Sequence, residues 1–447
     1  MTIDETILIR GGDVVTMDAE RRTFVSGDVL LEAGRVVAAG PRLKKCKPAR
    51  LIDARGCVVL PGLVQSHVHL CQALFRGMAN ELPLLRWLRE RIWPFEAAHD
   101  AKSMRASAEL GLAELLLGGT TTILDLGSVH QQDAIFRAMQ RSGIRGISGK
   151  SMMDVGDGVP RGLRESRTSS IRESLRLAER WDGAAGGRLG YAFGPRFILS
   201  CSERLLREVA ELANTRGLRI HSHVAEHPGE KAEVRAQRGM DDIDALREYG
   251  IAGPHVILAH GVQLTRKQMK RVAKDGTRIV HCPSANMKLA SGIADVVAMR
   301  DAGIVVGIGA DGAPCNNRLD AFTEIRSAAL LAKVKRSDAA ALSAADALSL
   351  ATIDGARALG LDAEIGSLEI GKAADVIVVG TDGLHALPGG DAVSRLVYSA
   401  RASDVRHVFA NGRHVVRDGR LFSLDASKIA TAAKREGKKI LARAKIK

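Results

Sequence analysis

The chain has 447 residues, 46% of them hydrophobic and 26% charged, and its 65 Lys and Arg against 51 Asp and Glu give a formal net charge of +14. No apolar run approaches the ~18 residues of a membrane span, and Met1-Thr2-Ile3-Asp4-Glu5 lacks the basic flank and apolar stretch of a secretory leader. Aromatics are only 3% and interleave with no Lys/Arg run, so the basic excess reads as a solvated surface rather than a nucleic-acid face.

Six cysteines (Cys46, Cys57, Cys71, Cys201, Cys282 and Cys315) form no Cys-x-x-Cys pair, which predicts thiols in a reducing compartment and a cytoplasmic protein. Residues 1–56 predict short strands, with 7–10 and 14–17 about a Gly11-Gly12 turn, and 28–31 and 35–38 about Ala33-Gly34. From 57 to 365, apolar strands alternate with helical patterns such as 101–117 and 203–215. Eight strands are expected, near 57–63, 121–126, 145–153, 189–195, 218–224, 256–261, 277–282 and 304–310. Strand-helix alternation implies a parallel sheet, and eight units imply an α/β (β/α)8 TIM-type barrel with its chemistry at the C-terminal strand ends. Residues 366–425 return to hairpin grammar, including an Asn411-Gly412 turn. Together with 1–56 they predict a small β-sandwich domain built from both termini. Residues 426–447, rich in Ala, Lys and Arg, predict a basic tail that forms a frayed, exposed helix.

The chemistry-bearing residues fall where such a barrel would put a site. In Leu60-Pro61-Gly62-Leu63-Val64-Gln65-Ser66-His67-Val68-His69, alternation along an extended chain aims His67 and His69 at one point. Strand five carries His221, His223 and then Glu226; strand six ends at His260, strand seven at His281, and strand eight at Asp311-Gly312. Imidazoles and a carboxylate so placed suit a first-row metal.

With these motifs the chain resembles the amidohydrolase superfamily over essentially its whole length, and within it the single-metal aminohydrolases. The resemblance implies one divalent metal ion held by His67, His69, His223 and Asp311; zinc suits that donor set and ferrous iron also uses it. It implies that Asp311 and His260 take a proton from water and orient it, while Glu226 passes a proton to a ring nitrogen and assists the leaving amine. His221 matches no family role and is expected to be structural. His281 is expected to hydrogen-bond beside the substrate. Lys150 is not expected to bridge two metals.

The substrate signals diverge. Trp87 and Glu96 resemble the residues of adenosine-analogue deaminases that cover the purine and accept from the ribose diol, and Asn316-Asn317 also resembles those enzymes. Gln72 and Arg196, with Pro195 to Ser202, resemble guanine deaminase, where they read the base edge. The reading is a purine deaminase, foremost of 5'-deoxyadenosine, methylthioadenosine or S-adenosylhomocysteine, with guanine or an oxopurine, and then an s-triazine or other heterocycle, as alternatives. Arg161, Arg164 and Arg167 follow the 156–160 loop in the region where S-adenosylhomocysteine enzymes bind a carboxylate, and are expected to form a basic loop with no single arginine assigned to that role. The partner expected is a small molecule, with no nucleic acid and no membrane, and families of this kind imply a dimer or tetramer. A barrel reduced to a scaffold loses ligands, whereas every motif position here is filled.

Overall fold

The structure is a computed structural model that describes residues 5–43 and 48–446. Met1-Thr2-Ile3-Asp4, Cys46 and Lys447 lie outside the described residues. Five strands come first: β1 (Ile7–Val15), β2 (Thr23–Glu32), β3 (Arg35–Gly40), β4 (Arg50–Asp53) and β5 (Cys57–Pro61). Nine follow: β6 (Leu63–Val68), β7 (Thr120–Leu126), β8 (Arg145–Gly149), β9 (Ser151–Met152), β10 (Leu189–Pro195), β11 (Arg219–Val224), β12 (Val256–His260), β13 (Arg278–His281) and β14 (Val306–Ile308). The last four are β15 (Val376–Gly380), β16 (Val405–Ala410), β17 (Arg413–Arg417) and β18 (Arg420–Leu421).

The middle set is the barrel. Its order is β6-β7-β8-β10-β11-β12-β13-β14, with β9 on β10, and every pair is parallel. Closure runs from β14 to β6 through a parallel bridge between Val68 and Asp311 and a bond from Asp311 N–H to the His67 carbonyl at 3.1 Å. Gly309 permits this closure: a Cβ there would sit 2.4 Å from the His67 carbonyl oxygen.

The outer strands form the terminal sheet, in the order β18-β17-β16-β15-β5-β1-β2-β3 with β4 on β1. It wraps its own smaller core of Ile9, Val14, Val29, Val59, Val376, Val378 and Phe409, all fully buried. The Ala33-Gly34 and Asn411-Gly412 turns have φ of 48° and 73°, and of 49° and 74°, the paired left-handed residues that a two-residue hairpin needs.

Three expectations are corrected. The first barrel strand is not 57–63. Cys57–Pro61 pairs antiparallel with β15 and parallel with β1 in the terminal sheet, and the barrel begins at Leu63. Gly11-Gly12 is no turn; β1 runs through it with register shifts at Gly12. The C-terminal segment is not frayed. Ala426–Ala444 is one helix that lies on the helix Ala101–Leu117, buries Ile429 and Ile440, and ties Arg443 to Asp100 and to Ser103 Oγ. That same helix also touches Leu70–Phe75 and Trp93–Ala97, the two turns that carry Gln72 and Glu96. Among the described residues, no helix is long and apolar enough to cross a membrane.

Candidate active site

The barrel mouth brings together the side chains that the strand-end pattern singled out. His67 and His69 come from the end of β6, His223 from β11, His260 from the end of β12, and Asp311 from the residue that closes the barrel. One donor atom from each of His67, His69, His223 and Asp311 lies within 4.8 Å of the others. His69 Nε2 is 3.2 Å from His223 Nε2, and Asp311 Oδ1 is 3.3 Å from His67 Nε2 and 3.4 Å from His69 Nε2. Donor bonds of ~2.0–2.1 Å in a tetrahedron give edges of about 3.3–3.4 Å, so these spacings fit a bound first-row ion.

The proton arrangement fits as well. His69 Nδ1 donates to the Leu126 carbonyl at 2.7 Å, and His223 Nδ1 donates to the Arg196 carbonyl at 2.6 Å. A carbonyl can only accept, so both rings keep an Nε2 lone pair facing inward. His67 Nε2 is buried without a hydrogen-bond partner.

Backbone conformation sets three of the side chains. Ala225, His260 and Asp311 have φ of 49°, 78° and 61°, left-handed values that are uncommon outside glycine. They fall just past β11, at the end of β12 and just past β14, where strain of this kind marks functional strand ends. Asp242 accepts from the Ala225 N–H, and Glu230 accepts from the Glu226 N–H at 3.1 Å, which fixes the turn that presents Glu226. Glu226 Oε2 is 3.5 Å from His260 Nε2, and its Oε1 is buried without a partner. Burial, then the charges of Asp311 and Glu230, push the Glu226 carboxyl well above its ordinary pKa. Asp311 goes the other way: burial would raise it, but His67, His260 and His69 outweigh burial and hold it well below the carboxylate range. The site therefore sets two carboxyl groups side by side whose pKa values are pushed in opposite directions. His260 Nδ1 is 2.9 Å from Asn286 Oδ1, which can only accept, so this ring too presents an Nε2 lone pair.

Above these groups lies a cavity of about 30 Å³, walled also by Gln72, Leu84, Trp87, Leu88, Arg196 and Phe197. At ~10–15 Å³ per water centre it holds about two waters. A larger open groove of about 660 Å³, between Phe322 and Tyr398, touches none of the metal-site side chains.

The residues that sent the two substrate signals are one cluster. Glu96 Oε1 accepts from Gln72 Nε2 at 2.8 Å and from Arg196 Nη2 at 3.1 Å, and Glu96 Oε2 accepts from Arg196 Nη1. A carboxylate offers about four acceptor positions, so three bonds leave one. Asn316 and Asn317 are structural. Asn316 Nδ2 binds the Ala310 carbonyl and Glu324, while Asn317 Oδ1 accepts from Lys288. His281 is buried with Nδ1 unpartnered and lies outside the cavity wall. Lys150 turns away to Glu165 and Ser170. Arg164 binds the Gly156 carbonyl, Arg167 binds Glu208, and Arg161 is exposed; none of the three lines the cavity.

Sequence reasoning missed Asn286, Glu230 and Asp242, which steer His260 and Glu226. No spacing announces them, because each acts from a following helix through a single bond.

Comparison with known proteins agrees with this geometry. The amidohydrolase family model matches residues 58–415. A 5'-deoxyadenosine deaminase of Methanothermobacter thermautotrophicus is 39% identical over 94% of this chain and 96% of its own. A 5-methylthioadenosine/S-adenosylhomocysteine deaminase of Symbiobacterium thermophilum is 40% identical over 93% of this chain and 94% of its own. The solved structure of an adenosine deaminase from Xanthomonas campestris with bound zinc superposes with a TM-score of 0.91 at 31% identity, covering 98% of each chain. The chain belongs to the amidohydrolase family.

Proposed function

We propose that this protein is a metal-dependent deaminase of 5'-substituted adenosines, yielding the inosine analogue and ammonia. The observation that carries the reading is Glu226, a buried carboxyl whose pKa burial pushes up, beside four convergent donor atoms, in a chain 39% and 40% identical to two adenosine-analogue deaminases.

His67, His69, His223 and Asp311 would hold the ion, with zinc the first choice. Such an ion supplies Lewis acidity that makes water a nucleophile at neutral pH. Asp311 and His260 orient that water toward C6 of the purine and accept its proton. Glu226 donates its own proton to N1 as the C6–O bond forms. The proton collected from water then goes to the exocyclic amine, the C6–N bond breaks and ammonia departs, while the remaining C6 hydroxyl proton passes to Glu226 as the carbonyl forms, which restores its carboxylic acid. Neither a protonated Asp311 nor an ionised Glu226 could begin this sequence, so their opposed pKa shifts suit their roles.

Trp87 packs on the purine, Glu96 accepts one ribose hydroxyl, and Gln72 and Arg196 complete the polar surroundings, whereas His281, outside the cavity wall, takes no part. A nucleoside exceeds the 30 Å³ cavity, since ligand sites run to ~300–1,000 Å³, so the segment bearing Leu84, Trp87 and Leu88 swings out to admit it.

One observation favours a second reading, deamination of guanine or a related oxopurine. Gln72 lines the cavity with a buried, unpartnered Oε1, an acceptor that suits a ring N–H. Ammonia release by zinc-loaded protein from 5'-deoxyadenosine, S-adenosylhomocysteine and guanine, side by side, separates the two. A preference for the nucleosides is expected. A preference for guanine would transfer the assignment, and silence on all three would end both.

A further inference from the structure

His69 and His223 are turned by backbone carbonyls, which accept and never donate. His67 is different. Its Nδ1 lies 2.7 Å from Nε2 of His221, a second imidazole that is able to do either. Two proton arrangements satisfy that contact. In one, His67 Nδ1 donates and Nε2 keeps its lone pair toward Asp311. In the other, His221 Nε2 donates, the proton of His67 moves to Nε2, and the ring is no ligand.

The choice is made on the far side of His221. Its Nδ1 lies 2.9 Å from the carbonyl of Ile257, its register partner on β12. That carbonyl requires a proton on His221 Nδ1, which leaves Nε2 as an acceptor. His221 is 1% exposed, so bulk water does not reach the contact. The two rings meet edge-on, with centroids 4.9 Å apart and planes at 70°, the orientation in which an N–H of one points at the ring nitrogen of the other.

We propose that His221 is a positioning residue that carries the proton demand of the Ile257 carbonyl from β12 across β11 to β6, and so keeps His67 Nε2 as the ligating lone pair. The inference rests on the metal-centre reading above. It gives His221 a role without contact to the ion or the substrate. It also explains why this position takes a residue with an acceptor and a donor on opposite sides of one rigid ring, which no aliphatic side chain provides. Outer partners of ligating histidines of this kind are worth ~10–100-fold in metal affinity.

The test uses the full chain, stripped with a chelator and reloaded with Zn²⁺ or Co²⁺. His221→Leu removes the acceptor. His221→Gln restores an amide oxygen for His67 and an amide N–H for Ile257. Competition against a chromophoric chelator should show His221→Leu weaker by roughly 10–100-fold, with a changed Co²⁺ visible spectrum, and His221→Gln recovering most of the loss. Equal affinity and identical Co²⁺ spectra for wild type and His221→Leu would overturn the proposal. A wild type that takes up no metal would instead sink the metal reading, and this inference with it, so the two failures are distinguishable. Should His221→Leu not fold, imidazole ¹H–¹⁵N correlation spectra of zinc-loaded wild type decide: a proton on His221 Nδ1 supports the relay, and one on Nε2 refutes it.

Discussion

The Glu96–Arg196 pair makes the sharpest energetic prediction. Both side chains are almost wholly enclosed, at 3% and 4% exposure, and among the described residues Gln72 is the only other group bonded to the Glu96 carboxylate. Arg196→Met would leave a carboxylate buried with one amide donor, and Glu96→Gln would leave a buried guanidinium. Breaking such a pair from one side costs about 3–5 kcal/mol, whereas removing both charges together is often close to neutral. At ~2.1 cal/mol/K per residue, unfolding 447 residues carries an entropy of ~0.9 kcal/mol/K. Each single variant should therefore lower Tm by about 3–5 °C, and the double variant by much less than the sum. Differential scanning calorimetry of the four proteins, equally metal-loaded, closes the cycle. Additive shifts would refute the argument, because they would mean that the two charges do not stabilise one another.

Glu226→Gln should retain the metal content of the wild type by elemental analysis and lose ~10²–10⁴-fold in turnover by ammonia assay; undiminished turnover would end the proton path assigned to this carboxyl. Glu324, which grips Ser284 N–H and Asn316, is pushed up to about 7 by burial from an ordinary 4.5. Between those values the native state holds a proton that the unfolded chain has released. The stabilisation is complete below pH 4.5 and is lost as pH rises through about 7, by roughly 3 kcal/mol. Urea midpoints should fall from about pH 4.5 to 7.5 more steeply in the wild type than in Glu324→Gln, and parallel profiles would contradict this. Amide exchange in the segment holding Leu84–Trp87 should slow when a non-hydrolysable 5'-substituted purine nucleoside is bound; unchanged exchange would argue against a moving wall.

Much of the site was legible because a strand's two-residue period fixes direction. His67 with His69, and His221 with His223, had to share faces, and strand ends had to share the barrel mouth. The boundary at Pro61-Gly62 was not legible. Val58, Val59 and Leu60 are buried on both faces, as are Leu63 and Val64, so no alternation marks where one sheet stops and the other begins. The C-terminal helix was misjudged because Ile429 and Ile440 are sparse apolar points in a Lys-rich run, and burial there depends on the surface of Ala101–Leu117. Gln72, Glu96 and Arg196 read as competing clues because they come from three separate elements; only the fold makes them bonding partners. The role of His221 stayed hidden for the same reason, since its second partner is a backbone carbonyl that no side-chain pattern records.

The pairing of β5 with β15 also has a consequence in time. A ribosome makes Ile7–Pro61 long before it makes Val376–Gly380, so β5 waits with an open edge while the whole intervening barrel emerges and folds. The strand left waiting runs directly into β6, which carries His67. Completion of the terminal sheet is therefore a late event in biogenesis that anchors the entry to the first barrel strand. A circular permutant that places the β15–β18 segment ahead of β1 would turn this long-range pairing into an early, local one, and should shorten the interval in which the nascent chain is open to edge-to-edge association.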